Sequence, residues 1–214
     1  MTKNDRIGKR VSRNFRKQVR KLELSYYLIV TDTEATERCY FTGLYQTLPK
    51  DIKDKIVIKV IETKTHNMIE KCLEMTAYEP QYRIPWIIFD RDQIPQFDDI
   101  INEAKKKEIQ VGWSNPCFEI WMYTYFGLMP TQPSSWTCCS NFGKEFWNRT
   151  GYKYSKSDIK LYEKLYKYGD EKNGVKIARQ KLSQLEKENL KPSEMNPCTT
   201  VHLLVEDIKK SFKE

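Results

Sequence analysis

Histidine is scarce in this chain, at His66 and His202 alone, and its six cysteines include no Cys-x-x-Cys pair. Cys39, Cys72, Cys117, Cys138, Cys139 and Cys198 are scattered, which is the wrong spacing for a zinc ribbon or finger, so zinc is not expected. Most of them lie in apolar helical patterns, where a free thiol behaves as a small hydrophobe, and a Cys nucleophile is a weak reading. His202, inside the apolar run Val201 to Val205, reads as a satisfied packing residue. The longest apolar runs, near Leu28 to Val30 and Trp86 to Phe89, are strand-sized, far short of the roughly 20 residues that span a bilayer. The basic N-terminus has no apolar stretch behind it, so no signal peptide is expected and the location expected is cytoplasmic, with reduced thiols. A glycine-rich phosphate loop is also missing, which argues against intrinsic ATPase activity.

What is present is ordinary globular content, 39% hydrophobic and 13% aromatic over 214 residues, enough for one good core and a small appendage. The net charge of +8 and pI near 9.0 are unevenly distributed. Residues 1–22 form a basic arm in which Arg10, Arg13, Arg16, Lys17 and Arg20 stand out. Such an arm can neutralise phosphates and release counterions, giving nucleic-acid affinity without base preference. The competing reading is a solvated tail.

From residue 23 to 127 strand and helix signals alternate. Strands are expected at 24–31, 56–61, 84–89 and 109–113, with helices at 36–48, 65–77 and 96–107 between and after them. The pattern implies an α/β domain with a parallel four-stranded sheet flanked by helices and right-handed crossovers. Asp32 follows the first strand, and Asp90-Arg91-Asp92 follows the third. In an extended exit from a strand Asp90 and Asp92 point to one side and can share a magnesium ion, while Arg91 points away. With the first and third strands adjacent, Asp32 meets that pair at the topological switch point, where such sheets place ligands. Each Asp can also be read as an Asx turn or a helix N-cap.

Asn115 as N-cap with Pro116 at the first helical position predicts a helix to Gly127, with Glu119 in its first turn. A carboxylate there suits the helix dipole, or it is aimed into the crevice that holds Asp90 and Asp92. Residues 128–156 read as an irregular loop, and three helices follow at 157–167, 173–190 and 197–212, the last opened by a second Asn-Pro-Cys at 196–198. The segment 128–214 thus reads as a loop and helical C-terminal extension packed on the core.

Four segments together carry a family resemblance: Ile29-Val30-Thr31-Asp32-Thr33-Glu34-Ala35-Thr36-Glu37 with Tyr40-Phe41; Phe89-Asp90-Arg91-Asp92; Ser114-Asn115-Pro116-Cys117-Phe118-Glu119-Ile120-Trp121; and Asn196-Pro197-Cys198-Thr199-Thr200-Val201. In this order they resemble the RloB-like proteins of bacterial phage-defence loci, over roughly residues 24 to 205. That family is similar to the Toprim fold of topoisomerases, primases and overcoming-lysogenisation nucleases, within the broader Rossmann-like class. The resemblance implies a glutamate at the end of the first strand and an Asp-x-Asp pair at the end of the third, binding magnesium (or manganese) to cut or rejoin phosphodiester bonds. Here the pair is Asp90 and Asp92. The family's Glu-Gly is replaced by Asp32-Thr33, an acid one methylene shorter. Related defence systems pair such a protein with an ATPase, so the resemblance also implies that partner.

The resulting expectation is a magnesium-dependent nuclease of DNA or RNA, tRNA included, acting in abortive antiphage defence. Asp90 and Asp92 would bind metal. Asp32 with Glu34 or Glu37 would complete the ligand set or handle the proton, and Glu119 would support a second ion. From the stretch Lys153 to Lys156, Lys156 is the choice to neutralise the pentavalent transition state. The alternative is a regulatory or nucleic-acid-binding module that keeps the scaffold without the chemistry, which Asp32-Thr33 favours. A receiver-like phosphoacceptor would need a lysine after a fifth strand, and the sequence shows none there.

Overall fold

The structure is a computed structural model and describes residues 25–32, 35–54, 56–79, 84–92 and 94–210. The basic arm, including Arg10, Arg13, Arg16, Lys17 and Arg20, and also Glu34, lie outside the described residues.

Strand β1 (Ser25–Thr31) leads into α1 (Thr36–Thr47) and a single turn, α2 (Lys50–Lys53). Then come β2 (Ile56–Glu62), a 3-10 turn at Thr65–Asn67, α3 (Met68–Tyr78), β3 (Ile84–Asp90), α4 (Phe97–Lys106) and β4 (Gln110–Asn115). The sheet order is β2-β1-β3-β4-β5, in which β5 is Cys198–Thr199. The first four strands are parallel, with β1 between β2 and β3 as the switch-point reading requires. This is a Rossmann-like α/β arrangement, and its parallel sheet is covered on both faces. Tyr27, Ile29, Trp86 and Ile88 pack into one core cluster, while the alternate residues Leu28, Val30, Ile87 and Phe89 pack into the other.

The C-terminal half departs from the expectation in three places. First, Asn115 is the last residue of β4 and not an N-cap: its amide donates to the carbonyls of Pro192 and Ser193, and helix α5 starts later, at Glu119–Thr124. Second, the expected irregular loop contains a long helix, α6 (Ser135–Thr150). Ser134 caps it by accepting from the Thr137 amide at 3.2 Å, Cys138, Phe142, Phe146 and Thr150 bury one face at four-residue spacing, and Gly151 ends it at a φ of 72°. Third, the second Asn-Pro-Cys does not open a helix. Cys198 and Thr199 pair antiparallel with Asn115 and Ser114, closing the β4 edge, and the Asn196 amide donates to Gln132 at 2.9 Å. Both Asn-Pro peptide bonds are cis.

Helices α7 (Leu161–Tyr168), α8 (Glu171–Lys187) and α9 (Val201–Lys210) complete the chain. They share a hydrophobic cluster with β1 and α1, so the C-terminal segment adds to the same core. Helix α8 crosses α5 so closely that a Cβ on Gly174 would stand 2.7 Å from Thr124 Oγ1, which leaves room for glycine alone. Under this crossing Glu171 accepts hydrogen bonds from Tyr125 and Tyr162, each at 2.8 Å, and pairs with Lys209. Tyr40 of α1 meets Tyr125 hydroxyl to hydroxyl at 2.6 Å, extending the buried network to the N-terminal half.

Candidate acidic site

Parallel strands deliver their last residues to one edge of the sheet, and the following helices begin there. Thr31 is in register with Ile88, so Asp32 emerges beside the end of β3, where Asp90 is in register with Ser114. Glu37 lies in the first turn of α1 and Glu119 opens α5, both about 1% exposed. These four acids form one electrostatic cluster centred on Asp90. Burial holds the Asp90 carboxyl well above the usual carboxylate range, and the charges of Glu37, Asp32 and Glu119 push it the same way, against a hydrogen bond from the Phe118 amide. Burial also raises Asp32, to about 6, offset in part by backbone hydrogen bonds at Asp32 and Asp90 and by the Thr65 hydroxyl at 3.4 Å.

Asp92 occupies the rim. The chain turns at φ 25° there, so the extended exit expected after β3 is absent. Aspartate tolerates such a turn. The exposed Asp92 carboxylate accepts from the Ser135 hydroxyl at 2.9 Å and lies near enough to raise Asp32 further. Arg91 turns away as expected, its guanidinium donating to the Ile94 carbonyl and standing 5.8 Å from the Phe97 ring centroid.

Glu119 behaves differently from the other buried acids. Burial favours its neutral form, but Lys156 at 3.6 Å, the Tyr154 hydroxyl at 2.7 Å and the thiols of Cys117 and Cys139 hold it below the usual range. Its shift is thus opposite in direction to those of Asp32 and Asp90. Its charge in turn raises Lys156 despite partial burial, with smaller contributions from Cys139 and Asp90. Lys156, picked out of a lysine-rich stretch, is therefore brought to the acids. Tyr154 carries no local signal in the sequence, because its spacing from Glu119 says nothing of their contact.

The fold also gathers what the cysteine spacing did not show. Sulfur atoms of Cys117 and Cys139 and an oxygen of Glu119 lie within 4.8 Å of one another. A hydrogen bond with Cys138 and burial push the Cys117 thiol well up against an opposing bond with Cys139, and a bond with Cys117 and burial push Cys139 well up, so both stay protonated as donors. With an ammonium and a phenol already on Glu119, this trio is the poorer cation site. The hard donors fit magnesium better: Oδ1 of Asp32 and Oδ1 of Asp90 are buried and have no hydrogen-bond partner. Among the described residues, Asp32, Asp90 and Asp92 do not bring three ligand atoms within 4.8 Å of one another, so an ion held here would need water to complete its shell.

His202 is buried on α9 and packs as a neutral ring, its pKa lowered by burial to about 4, but it is not satisfied as expected: neither ring nitrogen has a hydrogen-bond partner among the described residues. No helix among the described residues is long and apolar enough to cross a membrane.

An α/β sheet with carboxylates converging at its carboxyl edge defines the general class. The chain belongs to the RloB-like protein family, whose sequence profile matches residues 27–208. No curated protein and no solved structure matches it.

Proposed function

We propose that this RloB-like protein is a Toprim-type, magnesium- or manganese-dependent nuclease of DNA or RNA serving antiphage defence. The observation that carries this reading is the convergence of Asp32, Glu37, Glu119 and the high-pKa Asp90 at the switch point, with Lys156 beside them. A divalent ion, when bound, would polarise the scissile phosphate and lower the pKa of a water nucleophile. Asp90 and Asp32 would hold it through their unpartnered oxygens, with Asp92 at the rim reaching it through water. Glu37 adds negative charge close to Asp90 and favours a cation there. Asp32, raised to about 6 by burial in the metal-free protein, would release its proton as the cation binds and stay ionised as a ligand. Lys156, half-exposed, can turn from Glu119 to the phosphate oxygens as charge develops on them.

Asp32 separates this reading from a non-catalytic module. With magnesium, Asp32→Ala should lower cleavage at least 100-fold and Asp32→Glu should keep or raise it, while chelator abolishes it in every form. Cleavage that persists in chelator would remove the metal from the mechanism, and cleavage that persists in Asp32→Ala combined with Glu37→Ala would remove those two acids.

The basic arm supplies a second expectation. Deleting residues 1–21 should weaken binding to any sequence and flatten its salt dependence by about 0.9 for each duplex phosphate that the arm had neutralised. An unchanged salt slope would make the arm a bystander or a docking segment for a protein partner.

A further inference from the structure

Two tryptophans on α6 are left out of the core: Trp136 is 81% exposed and Trp147 is 57% exposed. At about 100° and 1.5 Å per residue, positions eleven apart face within about 20° of each other and stand about 16 Å apart along the helix. Ser140 and Gly143 fall on the same stripe, so the surface between the indoles is lined by one hydroxymethyl group and bare backbone. A Cβ at Gly143 would meet only Tyr154, at 3.9 Å, which shows how open this floor is. The result is a cleft of about 490 Å³ bounded by Trp147, Lys144, Lys153 and Tyr154.

The cleft adjoins the acidic site through Tyr154, which forms its wall and donates to Glu119. Outside the cleft, at the start of the same helix, Ser135 donates to Asp92. Lys153 and Lys156 lie three residues apart, at most about 10 Å of chain, so cations lead from the cleft to the carboxylates. Glu145, the acid carried by α6, is paired with Arg149 at 2.7 Å and leaves the lysine rim uncompensated.

We propose that this cleft binds an unpaired nucleotide of a single-stranded nucleic acid, its base stacked on Trp147 and its phosphates at Lys144 and Lys153. This rests on the nuclease reading and gives it a substrate class. An indole offers its face, which an unpaired base can cover and a base inside a duplex cannot. A protein helix docking here would want an apolar floor and rim, whereas this floor is small and the rim is cationic. Trp136, near the Asp92 rim, offers a second stacking surface along the same strand path.

The test is equilibrium binding of labelled 12-residue RNA and DNA single strands, and of the matching duplexes, to the full chain in chelator. Trp147→Ala should weaken single-strand binding about 5- to 100-fold and leave duplex binding unchanged, and Trp147→Phe should restore most of the loss. Lys144→Ala and Lys153→Ala should each flatten the salt slope by about 0.7. The RNA and DNA arms report which sugar the cleft prefers. Unchanged single-strand affinity in both Trp136→Ala and Trp147→Ala, each with a wild-type melting temperature, overturns the proposal. So does an equal loss on duplex. Because binding is read without cleavage, failure of the nuclease reading shows separately, as a wild-type chain that binds through Trp147 and cuts nothing.

Discussion

Asp90→Asn is expected to eliminate metal-dependent cleavage, by at least about 1,000-fold, and at the same time to make the metal-free protein more stable. The side chain keeps its shape and can still accept from the Phe118 amide, so the fold has no reason to change. What disappears is a buried carboxyl that must either hold a proton or, when ionised, face the repulsion of Glu37, Asp32 and Glu119. Relief of that repulsion should contribute on the order of 1–3 kcal/mol, about 2–10 °C in melting temperature for a domain of this size. Active sites commonly carry such a stability cost. Thermal melts in chelator, beside cleavage assays in magnesium, measure both effects. An inactive Asp90→Asn protein that melts lower than wild type would mean that Asp90 supports the fold, and its loss of activity would then say nothing about metal.

The stability gap between these two proteins should depend on pH and on magnesium. A carboxyl with a raised folded-state pKa binds more protons folded than unfolded, so its contribution falls as pH rises from the unfolded value toward the folded one. Asp32, moved from 3.8 to about 6, corresponds to about 3 kcal/mol lost across that window, and Asp90 acts in the same direction at higher pH. His202 opposes them: lowered from 6.5 to about 4, it makes the fold less stable as pH falls through that range. Comparison with Asp90→Asn cancels His202, which both proteins share. In chelator the Asp90→Asn advantage should be small at pH 5 and largest near pH 8. Magnesium at about 100 times its dissociation constant adds about 2.7 kcal/mol to the form that binds it, so at pH 8 it should close or reverse the gap. A gap that ignores both pH and magnesium would contradict the buried acid cluster.

Much of this was readable in the chain. The runs ending at Thr31 and Asp90 are rich in β-branched and aromatic residues with acids at their ends, and a parallel sheet covered on both faces needs such runs. That was enough to bring Asp32 and Asp90 together. Helix α6 carried its own signals too, in the spacing of Cys138, Phe142 and Phe146 and in Gly151, but Pro130, Pro133 and two serines at its start drew it toward a loop reading. The strand at Cys198–Thr199 had no such signal, because two residues become a strand only through their partner, here Ser114 and Asn115. Asn115 and Asn196 look like caps locally, yet both donate to carbonyls far along the chain. The contacts of Tyr154 and Cys139 with Glu119 are of the same kind: tertiary, with no local spacing to announce them.

The two sides of the acidic site come from different stretches of chain. Asp32, Glu37, Asp90 and Glu119 precede residue 120, while Ser135, Cys139, Tyr154 and Lys156 follow residue 130. A hybrid of two relatives joined near Gly127 would thus take its acids from one parent, and Ser135, Cys139, Tyr154 and Lys156 that touch them from the other. It would also have to match α5 to the glycine of α8 that lets the two helices touch. Exchange of the later segment between relatives therefore amounts to retuning the chemistry along with the surface, and the two halves are heritable only as a matched pair.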